Sequence, residues 1–192
     1  MSGLVLASTS RYRRELVERL ALPFTVQRPE VDETPRPGES PLALARRLAE
    51  AKARAVAATR PDDWVIGSDQ VAEREGRPVG KPGSAENAVA QLMAASGREQ
   101  HFHTAFCLFR QASGGLLAGE DLTVVRFRTL DPEEVRRYVA IESPLDCAGS
   151  FKCEGLGISL FEAIQTRDPT ALVGLPLIAL SSALRRAGFR LP

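Results

Sequence analysis

The sequence has no excess of charge of either sign: 25 Lys and Arg stand against 24 Asp and Glu in 192 residues. Such a chain lacks the broad basic field that draws proteins to nucleic acid, so any anion site has to be a local cluster. Long apolar runs are missing as well. Nothing approaches the roughly 18 apolar residues of a membrane span. The opening stretch MSGLVLASTSRYRRELVERL turns polar too early for a signal-peptide core. Cysteine is scarce, and Cys107, Cys147 and Cys153 are an odd set without metal-ligand spacing. The expectation is free, buried thiols in a reducing cytoplasm, not a disulfide framework. Repeats and low-complexity tracts are absent. With 44% apolar and 26% charged residues there is little room for long disorder, and one domain spanning residues 1–192 is expected.

What is present reads as alternating strands and helices. Leu4 to Ala7 is a short apolar run, and Ser8, Thr9 and Ser10 separate it from a helical pattern carrying Leu16, Val17 and Leu20. Pro23 to Gln27 reads as a second strand, followed by a Pro-rich loop from Pro29 to Pro41. Leu44, Leu48, Ala51 and Ala55 repeat at helical spacing over Pro41 to Ala58, with Ser40 as cap and Pro41 in the first turn. Trp64 to Ser68 predicts a strand that ends at Asp69, and Val71 to Glu73 with Pro78 and Val79 predicts a hairpin around Gly76. Further on come a helix from Ser84 to Ala95, a hairpin of Gln100 to Gln111 with Leu122 to Thr129, and a helix begun by Asp131, Pro132 and Glu134. A loop from Ser143 to Gly157, a strand near Ile158 to Ile164 and a helix from Thr170 complete the chain. Crossover helices and hairpins together imply an α/β fold with a mixed sheet covered by helices, not a purely parallel one.

Several residues suit phosphate chemistry. Ser8, Thr9, Ser10, Arg13 and Arg14 lie between a strand and a helix, where free N–H groups and the helix dipole favour an anion. Taken alone, the hydroxyls serve equally as helix caps. Asp32 and Glu33 in the Pro-rich loop, and Asp69 after an apolar strand, offer the oxygen ligands that Mg²⁺ or Mn²⁺ prefers. A charge following Val65, Ile66, Gly67 and Ser68 is hard to place in a core without a partner. Lys52 on the apolar helix, and Lys81 between Gly80 and Pro82, can aim ammonium groups at phosphate, or can be ordinary surface lysines. The segment CAGSFKCEGLG, from Cys147 to Gly157, sets two charges among small residues that let a backbone approach a ligand closely. His101 and His103 share one strand face, which reads as solvated and is assigned no role. Trp64 is assigned to the core.

Taken together, LASTSRYRREL, VDET, AEAKA, IGSDQV, GKP, CAGSFKCEGLGISLFE and DPTALVGLPLI closely resemble the Maf-like nucleotide pyrophosphatases, in order and over nearly the whole chain. The resemblance implies a long curved mixed sheet flanked by helices, two lobes with a central cleft, and a homodimer. It implies that Asp69 is the catalytic acid-base residue, that Glu33 and Asp69 hold a divalent cation, and that Ser8, Ser10, Arg13, Lys52 and Lys81 bind phosphate. Arg11, Glu30 and Cys153 depart from the family's usual Pro, Asp or Asn, and Ala. Tyr12, Gln70 and Glu154 fall where the family's substrate branches differ. Gln70 with CAGSFKCEGLG is similar to the branch acting on 7-methyl-GTP. A carboxylate at position 154 suits the N1–H and N2–H donors of a cationic methylguanine, and Tyr12 or Phe151 offers a stacking ring. The family also contains dTTP and UTP pyrophosphatases, and its association with septation leaves a non-catalytic nucleotide sensor as another reading.

Overall fold

The computed structural model describes residues 2–192. Strand β1 (Leu4–Ala7) runs into helix α1 (Arg11–Glu18), and strand β2 (Thr25–Gln27) returns parallel to β1. After the Pro-rich loop come helix α2 (Pro41–Ala57) and strand β3 (Trp64–Arg74), which lies parallel to β1. A short strand β4 (Arg77–Val79) folds back on the end of β3, and helix α3 (Ala85–Ala95) follows. Strands β5 (Glu99–Arg110) and β6 (Gly115–Phe127) form a long hairpin, and helix α4 (Pro132–Glu142) leads toward strand β7 (Phe161–Gln165) and helix α5 (Leu177–Arg186).

The seven-stranded sheet has the order β2-β1-β3-β5-β6-β7, with β4 paired to β3 beyond the end of β1. It is mixed, as the sequence predicts: parallel from β2 to β3, antiparallel from there on. The helix starts follow from their caps. The Ser40 hydroxyl accepts from the Ala43 N–H of α2, and the Asp131 carboxylate accepts from the N–H groups of Glu133 and Glu134 in α4.

Side-chain alternation on β3 sends its residues to two different layers. Val65 and Val71 face α2, while Trp64 and Ile66 face a layer built from α1 and α5. A third cluster joins α3 and α4 to Ala72, Phe102, Val125 and Phe127. Helix α2 comes unusually close to the sheet at Gly67, where a Cβ atom would lie 2.1 Å from the Ala49 carbonyl oxygen and 2.5 Å from the Ala53 nitrogen. Only glycine fits there, and the small faces of Ala49 and Ala53 complete the contact. Lys52 belongs to the same helical turn, so this contact fixes how far its ammonium stands from the strand.

The three largest differences from the expected boundaries are these. Strand β3 does not end at Asp69 but continues to Arg74, because β5 pairs with it throughout from Val65 to Glu73. Strand β6 begins at Gly115, well before Leu122, since the turn at Gly114 lets pairing start at once. The last helix begins at Leu177, not Thr170, because Pro176 precedes it and residues Ala171–Val173 form a separate 3-10 turn. Among the described residues no helix is long and apolar enough to cross a membrane.

Candidate active site

Strand β1 pairs with β3 only as far as Ala7 opposite Gly67, and β4 takes up the same edge again at Ala72. Between them the edge of β3 is uncovered, and Asp69 and Gln70 lie in that gap. A cavity of about 980 Å³ opens there, lined by Ser8, Ser10, Tyr12, Arg13, Glu33, Lys52, Asp69, Gln70 and Lys81. Residues from five separate parts of the chain therefore meet at one place.

Asp69 and Lys52 form its floor. Asp69 is 8% exposed and Lys52 6%, and Lys52 Nζ donates to Asp69 Oδ1 at 2.6 Å. Glu33 Oε1 lies 2.7 Å from the same nitrogen. Burial on its own raises the Glu33 pKa, but the hydrogen bond and charge of Lys52, with Lys81 and Arg13 nearby, bring it below the ordinary value. Glu33 is held in place by its loop, since Arg47 donates to the Thr34 carbonyl and pairs with Glu39 at 2.6 Å. Its neighbour Asp32 turns away and accepts from the Thr34 N–H at 2.9 Å. Of the two loop acids, only Glu33 reaches the cavity.

The cationic wall comes from α1 and the β4–α3 loop. Ser10 caps α1 by accepting from the Arg13 N–H, and the Ser8 hydroxyl accepts from the Ser10 N–H at 3.0 Å. Both hydroxyls thus have the capping duty that the sequence allows, while also lining the cavity. Arg13 turns inward and donates Nε to the Gly174 carbonyl at 2.9 Å. Its enclosure lowers the guanidinium pKa, opposed by Asp69 and Glu33. Arg14 pairs with Glu18 on the exposed side of α1 and does not join the site. Lys81 is presented by a loop whose carbonyls at Gly80 and Pro82 accept from Gln91 and Asn87 of α3.

A smaller cavity of about 120 Å³ adjoins the first and shares Ser10, Tyr12, Arg13, Gln70 and Lys81 with it. Glu154 lies here, with Phe102, Phe151, Cys147 and Cys153. Phe151 is packed edge-on against Phe102, Phe127 and Phe161, so its ring belongs to the core as well as to the cavity wall. Tyr12 is covered on one face by the Arg11 guanidinium, 4.7 Å from the ring centroid. Gln70 is fixed: Nε2 lies 2.9 Å from the Ala171 carbonyl and 3.0 Å from those of Leu172 and the Thr104 hydroxyl.

The sequence profile of the family described as Maf-like protein matches residues 3–187. The chain belongs to the Maf-like family. Its relatives include a protein of Xanthomonas oryzae pv. oryzae (strain MAFF 311018) named 7-methyl-GTP pyrophosphatase, 60% identical over the whole of both chains. A protein of the same name from Xanthomonas campestris pv. campestris (strain 8004) is 59% identical, again over the whole of both. One from Burkholderia lata is 56% identical over 98% of this chain and 91% of its own.

This Maf-like chain therefore brings together Asp69, Lys52, Glu33, Arg13, Ser8, Ser10 and Lys81 in one cavity, and sets Glu154 in the adjoining one. Thr9, grouped with the anion-site hydroxyls in the sequence, also lines the larger cavity, and sequence reasoning missed Arg28 and Asp146, which do so too. It also missed the turn from Ala171 to Gly174, whose carbonyls hold Arg13 and Gln70. The only signal for that turn was the segment DPTALVGLP, which carries no charged group at the site itself. Two minor expectations need correction. Cys147 and Cys153 are half-buried at the cavity, Cys153 also touching the core, and only Cys107 is fully buried, because the Cys147–Gly157 loop lies between the core and a cavity. His103 is largely covered, its side chain 13% exposed and 2.6 Å from Glu73, so the solvated-face reading fits only His101, whose side chain is 40% exposed. Among the described residues no cluster of three or more His, Cys, Asp or Glu is placed to hold a metal ion.

Proposed function

We propose that this Maf-like protein is a nucleotide pyrophosphatase that hydrolyses 7-methyl-GTP to 7-methyl-GMP and pyrophosphate. The observation that carries the reading is the junction of two cavities. One gathers a carboxylate with Arg13, Lys52 and Lys81; the other holds Glu154 and shares Tyr12 and Gln70 with the first. The full-length relatives named 7-methyl-GTP pyrophosphatase support it. The triphosphate takes the larger cavity and the base the smaller.

The donor set suits Mg²⁺ or Mn²⁺. Two carboxylates, Asp69 and Glu33, converge around the Lys52 ammonium, and Mg²⁺ is commonly held by one or two carboxylates with substrate phosphates supplying further oxygens. When bound, such an ion neutralises phosphate charge and polarises the phosphorus toward attack.

The chain's own residues supply the rest. Asp69 orients a water and accepts its proton at Oδ2, the oxygen that Lys52 leaves free. Attack falls on the α-phosphorus, and the bond to the bridging oxygen of the pyrophosphate breaks. Arg13, Lys52 and Lys81 stabilise the negative charge that grows on the leaving group, and the hydroxyls of Ser8 and Ser10 hold its oxygens. Glu154 accepts from N1–H and N2–H of the methylguanine, an arrangement that leaves thymine or uracil, with one N–H between two carbonyls, poorly matched. The protein acts as a homodimer, which light scattering on a sizing column checks.

The deciding experiment incubates the protein with Mg²⁺ and a panel of 7-methyl-GTP, GTP, dTTP and UTP, and resolves the products. Pyrophosphate with 7-methyl-GMP is expected. Release of single phosphate, or preference for dTTP and UTP, overturns the reading, and binding of nucleotide without turnover leaves the sensor.

A further inference from the structure

Asp168 is 3% exposed and lies outside both cavities, yet its carboxylate organises the turn that faces them. Oδ1 accepts from the Thr170 N–H at 2.9 Å and from the Thr170 hydroxyl at 2.6 Å, and Oδ2 accepts from the Ile178 N–H at 2.7 Å. The Thr170 hydroxyl accepts in turn from the Leu177 N–H at 2.9 Å. Helix α5 has no side-chain cap at the residue preceding it. Asp168 and Thr170, reaching across the turn, take over its first two N–H groups, and the carboxylate charge complements the positive end of the helix.

The turn closed in this way points its carbonyls at the site. Ala171 O accepts from Gln70 Nε2 and from the Thr104 hydroxyl, Leu172 O accepts from Gln70 Nε2, and Gly174 O accepts from Arg13 Nε and the Ser68 hydroxyl. One buried carboxylate therefore sets the backbone against which a phosphate-side cation and a base-side amide are both registered.

We infer that Asp168, with Thr170, is a positioning residue for the reaction: it fixes the 170–178 turn so that Arg13 and Gln70 are aimed together. This rests on the pyrophosphatase reading for its kinetic consequence, though not for its geometry. Asp168→Asn keeps the shape but turns an N–H₂ group toward one of the two backbone donors, and Thr170→Val removes the hydroxyl without changing the outline. A shift of the order of an ångström at Arg13 is enough to lower turnover by roughly a hundredfold.

The test compares wild type, Asp168→Asn, Thr170→Val and Thr170→Ser by circular dichroism, melting temperature, kcat and KM for 7-methyl-GTP and for GTP, and calorimetric binding of inorganic pyrophosphate. Asp168→Asn and Thr170→Val should lose about tenfold or more in kcat, weaken pyrophosphate binding and narrow the preference for 7-methyl-GTP, while Thr170→Ser stays near wild type. A lower melting temperature with kcat, KM, selectivity and pyrophosphate affinity unchanged overturns the inference. If Asp168→Asn does not fold, the Thr170 pair decides it. If wild type releases no pyrophosphate from 7-methyl-GTP, the functional reading fails, and pyrophosphate binding by the same variants still reads whether the turn holds Arg13.

Discussion

The ammonium of Lys52 lies 2.6 Å from Oδ1 of Asp69 and joins helix α2 to the open stretch of β3. Both side chains are nearly covered, so the pair has lost most of its hydration, and each charge depends on the other to be tolerated where it is. Replacing either one separates chemistry from stability.

Asp69→Asn removes the proposed proton acceptor but keeps the outline and an oxygen for Lys52, which also retains Glu33. Turnover of 7-methyl-GTP should fall by roughly a thousandfold, within the range for loss of a general base, with the melting temperature close to wild type. Pyrophosphate release and a thermal melt on the same sample check both halves, and residual activity near wild type rules Asp69 out as the base.

Lys52→Met leaves Asp69 buried without the one cation that hydrogen-bonds to it, Arg13 and Arg47 acting only from farther away. The loss in stability should be about 3 kcal/mol by urea unfolding, as for other buried pairs deprived of one partner. An unchanged midpoint contradicts the burial described for the pair.

Gly67→Ala forces α2 away from β3, because the new methyl group falls well inside the contact distance of the Ala49 carbonyl. Overpacking of this kind costs about 1–3 kcal/mol or more, and it should also reduce activity by moving Lys52. Urea unfolding and kcat measured together show the two effects; a variant as stable and active as wild type shows that the helix can move without consequence.

Glu154→Gln keeps the size of the side chain but not its charge. The ratio of kcat/KM for 7-methyl-GTP over GTP should fall about tenfold, the scale of a charge-assisted hydrogen bond exchanged for a neutral one. An unaltered ratio assigns base selection to other residues.

The three thiols are pushed up from the ordinary value of 9.0 to about 12, first by burial, with Asp146 acting on Cys147 and Glu154 on Cys153. A raised thiol pKa favours the neutral form in the folded state, so its contribution to stability is complete below pH 9.0 and is lost as pH rises toward about 12. At pH 8 the native protein should react with an aromatic disulfide reagent at least about tenfold more slowly than the chain unfolded in guanidinium. Equal rates exclude the enclosure of Cys147 and Cys153.

Much of this was legible in residue order. Caps at Ser40, Ser84 and Asp131 and the apolar repeats between them mark α2, α3 and α4, because each signal is local. Asp69 was noticeable as a charge after an apolar run, but its place in mid-strand was not, since the continuation past it depends on pairing with a strand about thirty residues away. The residues proposed to bind phosphate, which line one cavity, were recognisable by type, whereas their partners were not. That Lys52 joins Asp69 to Glu33, and that Gly174 steadies Arg13, are contacts between distant segments. The last helix was misplaced for a related reason: its first N–H groups are satisfied by Asp168 and Thr170 from across a turn, not by the residue just before it.

The interruption in pairing along one side of β3 has an evolutionary corollary. Asp69 is registered by its neighbour β5 in the interior of the sheet, while Glu154, Cys147 and Cys153 belong to the segment between α4 and β7, outside the sheet. On the proposed function, drift in that segment would retune the contacts Glu154 makes to the base, while Gln70, next to Asp69 on β3, stays with the hydrolytic residues. Part of nucleotide choice would thus be free to vary outside the sheet, and part would be tied to the strand that carries the hydrolytic acid.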